Sequence, residues 1–154
     1  MAKPNKHDLI RAAVAASKRA VAPYSKFHVG AALLTRGGKI ISGANVESAS
    51  YGLTCCAERI ALFKALTDGE KDFVAIAVVA PVDGGAMPCG ACRQLLAEYA
   101  AAAKVWTADS RAPKRVRGFT VRGLLPEAFL DVPEPDNSWN GFRGVRGGDF
   151  ISKR

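Results

Sequence analysis

The sequence contains Cys56-Ala57-Glu58 and, further along, Pro88-Cys89-Gly90-Ala91-Cys92, and these two stretches decide how the chain is interpreted. Together they supply three thiols and one carboxylate. Three protein ligands leave the fourth tetrahedral position of a zinc ion open for water, and an open position distinguishes a catalytic zinc site from a structural one. A zinc hydrolase also needs a carboxylate that carries protons without binding the metal. The two stretches therefore predict a catalytic zinc site.

Two other interpretations of the thiols are open. Cys89 and Cys92 alone could form a redox pair or half of a structural zinc site, although a redox pair needs no third Cys beside a Glu. The adjacent Cys55 and Cys56 also compete for the third ligand position. Ideal helical geometry favours Cys55, because residues three apart, such as Cys55 and Glu58, share a helix face and residues two apart do not.

Four motifs follow one another along the chain: Tyr24-Ser25-Lys26-Phe27-His28-Val29-Gly30-Ala31-Ala32-Leu33, Gly43-Ala44-Asn45-Val46-Glu47-Ser48-Ala49-Ser50-Tyr51, Cys56-Ala57-Glu58-Arg59 and Pro88-Cys89-Gly90-Ala91-Cys92-Arg93-Gln94. Their order and spacing resemble the small, homotetrameric branch of the cytidine deaminase family of zinc enzymes. The resemblance covers roughly residues 8–131. It implies one zinc ion per subunit and hydrolytic deamination of cytidine and deoxycytidine to uridine and deoxyuridine, with release of ammonia, in pyrimidine salvage.

The resemblance also implies the metal ligands and the catalytic residue. It makes Cys56 a ligand together with Cys89 and Cys92, and a thiolate at a helix start is favoured by free N–H groups and the helix dipole. Cys55 is then a small buried hydrophobe. Zinc activates a water molecule, and Glu58 carries protons to the pyrimidine ring and its departing amino group. Glu58 could otherwise be a first-turn Glu favoured by the dipole.

Arg59 matches the family Arg that donates hydrogen bonds to the ligand sulfurs. Three thiolates on a divalent ion leave a net negative charge and make a bound water a poorer acid, so a nearby positive charge is needed to offset them. The alternative for Arg59 is a surface salt bridge, since most Arg side chains are exposed.

Substrate binding is assigned to residues from several motifs. Asn45 and Glu47 are two apart at the end of a predicted strand and therefore share a face, and the resemblance implies that they hold a ribose hydroxyl. It also implies that Phe27 packs against the nucleoside and that the Ala57 N–H meets the pyrimidine O2. Taken one at a time, these residues could be a turn Asn, a solvated Glu and a core Phe.

The resemblance further implies that active sites are shared between the subunits of a homotetramer. The stretch Leu124-Leu125-Pro126-Glu127-Ala128-Phe129 matches the family's C-terminal motif, in which the Phe stacks on the pyrimidine of a neighbouring subunit. Tyr51 matches an aromatic residue near the shared sites. Phe129 could instead be a core residue, because buried Phe is common.

The chain departs from the family pattern at three places. Ser48 stands where Asn is usual, His28 stands where Pro is usual, and the stretch after Phe129 is longer than the common ending. The first two departures lie beside the proposed sugar site and put the exact substrate in doubt. His7 and His28 have no ligand spacing.

The pattern of hydrophobic residues predicts an α/β fold with three layers, in which a mixed sheet of about five strands has helices on both faces. We predict helices over residues 8–22, 56–66, 92–102 and 124–129, and strands over 29–34, 39–44, 73–80, 105–108 and 118–121. The zinc site lies where two helix N-termini converge at one end of the sheet. Residues 1–131 form the catalytic domain, and residues 132–154 form a Pro/Gly-rich, basic C-terminal tail.

Composition narrows the class of protein. The 154 residues suit one compact domain, and no apolar run approaches the roughly 20 residues of a membrane helix. The first residues lack the apolar stretch of a signal peptide, so we expect a cytoplasmic protein that has no membrane association and keeps its four cysteines reduced.

The net charge of +8 allows a different partner. Residues 111–122 hold five Lys or Arg residues and no acid, and residues 139–148 interleave aromatics, Gly and Arg as some RNA-binding segments do. A deaminase of cytosine in nucleic acid, or of another aminopyrimidine such as blasticidin S, is therefore an alternative. Nucleic acid is disfavoured because the pair Asn45 and Glu47 suits a free nucleoside. A non-catalytic zinc-stabilised binding module is disfavoured because only Cys55 could supply a fourth ligand, and Cys55 is too close to Cys56 in sequence to join it at one metal ion.

Overall fold

The structure is a computed structural model that describes residues 5–131. The elements in chain order are α1 (Lys6–Ser17), β1 (Gly30–Thr35), β2 (Ile40–Ala44), a single 3-10 turn (Tyr51–Leu53), α2 (Ala57–Thr67), β3 (Phe73–Ala80), α3 (Gly90–Tyr99), β4 (Lys104–Asp109), β5 (Val116–Thr120) and α4 (Val121–Leu124). The strands form one sheet in the order β2-β1-β3-β4-β5. Among these five strands, β3 and β4 pair in parallel and the other neighbours pair antiparallel, so the predicted mixed sheet of five strands is confirmed.

Helices cover both faces of the sheet. On one face, α1 packs Leu9, Ile10 and Ala13 against β1 and β3. On the other face, α2 and α3 pack against the alternate residues of the same strands. Strand β1, which lies between β2 and β3, is buried along its whole length, as expected for a strand covered on both sides. The three-layer α/β/α arrangement is therefore confirmed.

The first helix is shorter than predicted. It ends at Ser17 rather than residue 22, because the chain after it pairs with the segment that follows β2. The Val21 N–H donates to the Asn45 carbonyl at 2.9 Å, and the Glu47 N–H donates to the Val21 carbonyl at 2.8 Å. Long-range pairing of the backbone thus overrides the helical pattern of residues 18–22.

The helix predicted over residues 124–129 is wrong in position. The short helix is α4, and it begins where the Thr120 hydroxyl accepts a hydrogen bond from the Gly123 N–H at 3.0 Å. Pro126 has no N–H to donate and disfavours helical geometry at Leu125, which adopts φ −141°. The chain after Leu124 is therefore irregular. The helix α3 also begins two residues earlier than predicted, at Gly90.

Within residues 5–131, no helix is both long enough and apolar enough to span a bilayer. The division between catalytic domain and tail, and the aromatic and Arg-containing stretch 139–148, lie at or beyond the end of the described residues. Both stay predictions.

Candidate active site

The two cysteine motifs begin the two helices on one face of the sheet. Cys56 is the N-cap of α2 and Cys89 is the N-cap of α3, while Cys92 is buried in the first turn of α3. The first N–H groups of a helix have no acceptor within the helix, and they favour negative charge nearby. Both helix starts therefore suit thiolates.

The sheet holds the start of α2 at close range. A Cβ added at Gly43 in β2 would lie 2.7 Å from the Ala57 carbonyl oxygen and 2.5 Å from the Ala61 nitrogen, so only glycine allows this approach. Next to it, Val46 and Cys55 exchange two backbone hydrogen bonds of 2.8 and 3.0 Å. The segment that follows β2 is thereby fixed beside Cys56.

The sulfur atoms of Cys56, Cys89 and Cys92 form the one candidate metal cluster among residues 5–131, and they all lie within 4.8 Å of one another. The sulfurs of Cys56 and Cys89 are 3.8 Å apart. Two sulfurs that each lie about 2.3 Å from a tetrahedral zinc ion are about 3.8 Å apart, so the residues fit zinc. Cys55 and the two His residues are not members of the cluster.

Within the cluster, the pKa values of Cys56 and Cys92 are shifted in opposite directions. A hydrogen bond from the Cys92 thiol, with further ones from Arg59 and Cys89, lowers the pKa of Cys56 to about 5. The same interaction with Cys56, followed by burial, raises the pKa of Cys92. Burial raises the pKa of Cys55 as well. Cys56 is therefore a thiolate at neutral pH, which is the form that binds metal, whereas Cys55 is a thiol.

Arg59 lies against this thiolate. Its Nη2 donates to the Thr54 carbonyl at 2.8 Å and contacts the Cys56 sulfur at 3.8 Å. The hydrogen bond to Cys56 raises the pKa of Arg59, so the guanidinium stays charged. None of the ion pairs within residues 5–131 includes Arg59, and its buried Nε has no hydrogen-bond partner there. Its positive charge is directed at the sulfur rather than at a surface carboxylate.

Glu58 occupies the first turn of α2 and is only 5% exposed. Burial, with a smaller contribution from the nearby Cys56, raises the pKa of Glu58 to about 7. A carboxyl group with this pKa can both accept and release a proton near neutral pH. Desolvation of this kind is typical of catalytic carboxyl groups.

The structure also brings together Phe27, Asn45 and Glu47. The Asn45 side chain is buried, where its Oδ1 accepts from the Val29 N–H at 2.8 Å and its Nδ2 donates to the Phe27 carbonyl at 2.9 Å. Asn45 thus fixes the backbone on both sides of residue 28, and the Nδ2 group retains a second N–H that can meet a ligand.

The Glu47 carboxylate accepts hydrogen bonds from the backbone N–H groups of Tyr24 and Ser25, at 2.9 and 3.2 Å, and from the Ser25 hydroxyl. The bond from the Ser25 hydroxyl is the main reason that the pKa of Glu47 lies below its usual range. The sequence analysis missed this role of Ser25. The signal available was its place in the first motif, but a contact 22 residues away has no local signature.

Comparison with known proteins agrees with this geometry. The family model for the cytidine and deoxycytidylate deaminase zinc-binding region matches residues 3–108. This chain belongs to that family. A cytidine deaminase from Halalkalibacterium halodurans is 52% identical over 122 residues, which cover 79% of this chain and 91% of the relative. A cytidine deaminase from Sporosarcina psychrophila is 46% identical over 79% of this chain and 88% of the relative. The crystal structure of cytidine deaminase from Burkholderia pseudomallei has a TM-score of 0.78 and 49% identity, and it covers 82% of this chain and 100% of that one.

Two aromatic residues assigned to the deaminase site are not buried with the sulfurs. Tyr51 is 81% exposed and Phe129 is 66% exposed. The alternative that Phe129 is a core residue is therefore wrong. Other apolar side chains are also exposed, including Leu53 and Leu130. In a single chain, the rings of Tyr51 and Phe129 are therefore accessible to solvent, a ligand or another protein chain.

Two of the three departures from the family pattern lie within the described residues, and the third, the longer stretch after Phe129, lies almost entirely outside them. His28 is exposed in the segment that Asn45 fixes. Ser48 lies in the loop between Glu47 and Tyr51, where its hydroxyl accepts from the Ser50 N–H at 3.1 Å and its N–H donates to the Thr54 hydroxyl at 3.1 Å. Ser48 therefore organises the loop that leads into Tyr51.

The basic stretch lies at the other edge of the sheet. It runs through β5, whereas β2 leads into Asn45 and Glu47. Arg111 is paired with Asp109, and the Arg117 guanidinium lies 5.2 Å from the centre of the Phe119 ring. Nucleic acid held along β5 would therefore lie across the sheet from the strand that leads into these residues.

Proposed function

We propose that this protein catalyses the zinc-dependent hydrolytic deamination of cytidine and deoxycytidine to uridine and deoxyuridine, with release of ammonia. The observation that carries the proposal is the buried Glu58, with a pKa of about 7, in the helix that begins at the sulfur cluster. Relatives named cytidine deaminase, which are identical to this chain at about half of the aligned positions, support the choice of substrate.

The three sulfurs would hold the zinc ion, and when bound it supplies a water molecule acidic enough to attack at neutral pH. Glu58 accepts the proton that this water loses as its oxygen forms a bond to C4 of the pyrimidine. Glu58 then gives this proton to ring N3, takes a second proton from the new C4 hydroxyl and passes it to the amino group, which leaves as ammonia when the C4–N bond breaks and the C4 carbonyl forms. The carboxyl group ends in its starting state.

Arg59 adjusts the electrostatics of this step. Its hydrogen bond draws electron density from the Cys56 sulfur, so that the three thiolates donate less charge to the metal. Arg59 would thereby lower the pKa of a water molecule held by the zinc ion. The second hydrogen bond, to the Thr54 carbonyl, fixes the guanidinium in that position.

Ala57 and the residues around Asn45 would hold the substrate. Ala57 is the first residue of α2, so its N–H has no acceptor within the helix and can donate to the pyrimidine O2. Glu47 and the remaining N–H of Asn45 suit a sugar hydroxyl, because a carboxylate accepts and an amide donates. Phe27 lies on the segment that Asn45 holds and supplies an apolar surface for the nucleoside.

We propose that the protein is a homotetramer in which Phe129 and Tyr51 contribute to a neighbour's site. The support is their exposure, because large exposed apolar groups on one chain mark a contact surface. A stacked aromatic ring adds about 1 kcal/mol beyond its buried area. Because a phenyl ring carries no proton to transfer, Phe129 would contribute this energy to nucleoside binding rather than to the chemical step. Light scattering on the intact protein should show a tetramer, and a fully active monomer would reject the shared site.

We place the reaction in pyrimidine salvage in the cytoplasm, where thiols stay reduced and can hold zinc. The experiment that tests the function is ammonia release from cytidine, deoxycytidine, cytosine, the nucleoside monophosphates and blasticidin S. We expect the two nucleosides to react fastest. A higher kcat/KM for blasticidin S or a monophosphate would assign a different substrate. If zinc-loaded protein released ammonia from none of these compounds, the protein would be a non-catalytic zinc-stabilised binding module instead of a deaminase.

A further inference from the structure

The C-terminal segment that carries Phe129 is attached to the metal-binding helix α3. Two residues directly after the ligand Cys92 make the attachment. The Arg93 guanidinium donates through Nε to the Pro88 carbonyl at 2.8 Å and through Nη1 to the Leu124 carbonyl at 3.1 Å. The Gln94 Nε2 donates to the Phe129 carbonyl at 2.6 Å. Side chains from one turn of helix thus fix both ends of the segment 124–129.

Other contacts hold this segment weakly. It contains no helix or strand after Leu124, and Glu127 adopts a left-handed φ of 52°. Leu125 and Ala128 pack against the core but are only partly buried, and Phe129 and Leu130 are exposed. A segment with few buried contacts opens at low free-energy cost. The hydrogen bond from Gln94 is therefore the contact that fixes the backbone at Phe129 itself.

Gln94 is in turn held in place on its own helix. Its Nε2 also donates to the Glu98 carboxylate at 2.8 Å, one turn further along α3. The two hydrogens of the amide group are thus shared between a neighbour on the helix and the Phe129 carbonyl. This arrangement restricts the side chain before the C-terminal segment binds it, which lowers the entropy cost of the contact.

We propose that Gln94, supported by Arg93, is a positioning residue for Phe129 and thereby links the metal helix of one subunit to the substrate site of its neighbour. The inference rests on the proposed shared site. Gln94 lies two residues after the metal ligand Cys92 of its own subunit, yet it serves a site whose zinc and Glu58 belong to another chain. Its effect is on nucleoside affinity and not on the proton transfers of its own subunit.

The test uses mixed oligomers of two inactive or impaired chains. A chain with Glu58→Gln retains Phe129, and a chain with Phe129→Ala retains Glu58, so sites formed between them have a complete set of residues. We add Gln94→Met, which keeps the length of the side chain without its donors, to one chain or the other. In the Glu58→Gln chain it should raise the KM of the recovered activity about fivefold, the factor that corresponds to one hydrogen bond of about 1 kcal/mol.

The same Gln94→Met substitution in the Phe129→Ala chain is the matched control, because that chain has no Phe129 ring to position. It should leave the recovered KM where it was. An equal rise from both placements would show a structural effect on α3 and overturn the inference alone. No recovery in verified mixed oligomers would reject the shared site and the inference with it, while ammonia release by the wild-type protein would still support the proposed function.

A second measurement avoids turnover. Uridine, the product, can be titrated into each variant by calorimetry, with zinc content and oligomer mass measured on the same samples. Gln94→Met should weaken uridine binding about fivefold in the otherwise wild-type protein. In the Phe129→Ala background it should have little further effect, since a residue that acts through Phe129 is non-additive with it. Additive losses, or loss of zinc, would overturn the inference.

Discussion

Two regions of the molecule contact α3. One is the sulfur cluster with Glu58, and the other is the segment 124–129 with Phe129. They differ in burial and in how they are held. Cys92 and Glu58 are buried, and their protonation is set by neighbours in the same chain. Phe129 is mostly exposed and is held by its backbone carbonyl. The difference supports the proposal that one subunit holds all the residues of the chemical step, whereas a neighbouring subunit completes nucleoside binding.

The largest expected effect concerns the cluster. Cys56→Ala should lose zinc, turnover and part of the folding stability, because thiolate ligation contributes to the free energy of folding. Cys55→Ala is the matched control and should keep all three, since Cys55 is outside the cluster. Zinc content and thermal unfolding measure both variants. Retention of zinc by Cys56→Ala and its loss from Cys55→Ala would reverse the assignment.

The next effect separates chemistry from the metal. Glu58→Gln should keep zinc and fold but reduce kcat by about 10²–10⁴, the range for loss of a general acid–base group, because an amide cannot accept the proton. The assay is ammonia release, with zinc content as the control. Substantial remaining kcat would contradict the proposed role of Glu58 and the idea that one subunit holds all of the chemistry.

A smaller effect on activity is expected for the exposed segment 124–129. Phe129→Ala should raise the KM for cytidine by about fivefold or more, given about 1 kcal/mol for a stacked ring in addition to its buried area. Zinc content should not change. If kcat fell while KM stayed constant, Phe129 would act in the chemical step and the division between the two regions would fail.

A pH effect should appear at Glu47, which we propose as a sugar-binding residue. Hydrogen bonds, first that of Ser25, lower the pKa of Glu47, so its stabilising contacts are present above the ordinary carboxyl pKa and are lost as pH falls through the lowered value. Ser25→Ala should move this loss to higher pH. NMR titration of the Glu47 carboxyl, assigned with Glu47→Gln, measures the shift directly. An unchanged titration would show that Ser25 does not hold Glu47.

The smallest effect is expected at the far edge of the sheet. Arg115→Ala and Arg117→Ala should leave the KM for cytidine essentially unchanged and should weaken any salt-sensitive binding to single-stranded RNA. The measurements are the KM for cytidine of each variant and the rate of cytidine deamination in the presence of competing single-stranded RNA. Faster deamination of cytosine in RNA than of free cytidine would make the basic edge part of a third functional region.

The sequence was sufficient for the features that depend on local pattern. The buried run of β3 and the two helix starts at cysteines have such patterns, and the strand and both helix starts lie where predicted or within two residues of it. The end of α1 depends on backbone pairing of Val21 with the segment after β2, which has no local signal. The contacts from Ser25 to Glu47 and from Gln94 to Phe129 join residues 22 and 35 positions apart, so only the fold shows them. Family motifs indicated which residues matter but not how they are held.

The contact between Gly43 and the start of α2 has a practical consequence. Gly43 is in a strand and faces no proposed ligand, but a methyl group there would displace the Ala57 carbonyl and with it the two residues on either side. Replacing Gly43 by Ala would look like a packing defect in the sheet, but its first measurable effect would be a lower zinc content. Zinc content therefore reports on the spacing between β2 and α2. In a random library screened only for activity, variants at Gly43 would be misinterpreted as variants that damage the metal ligands.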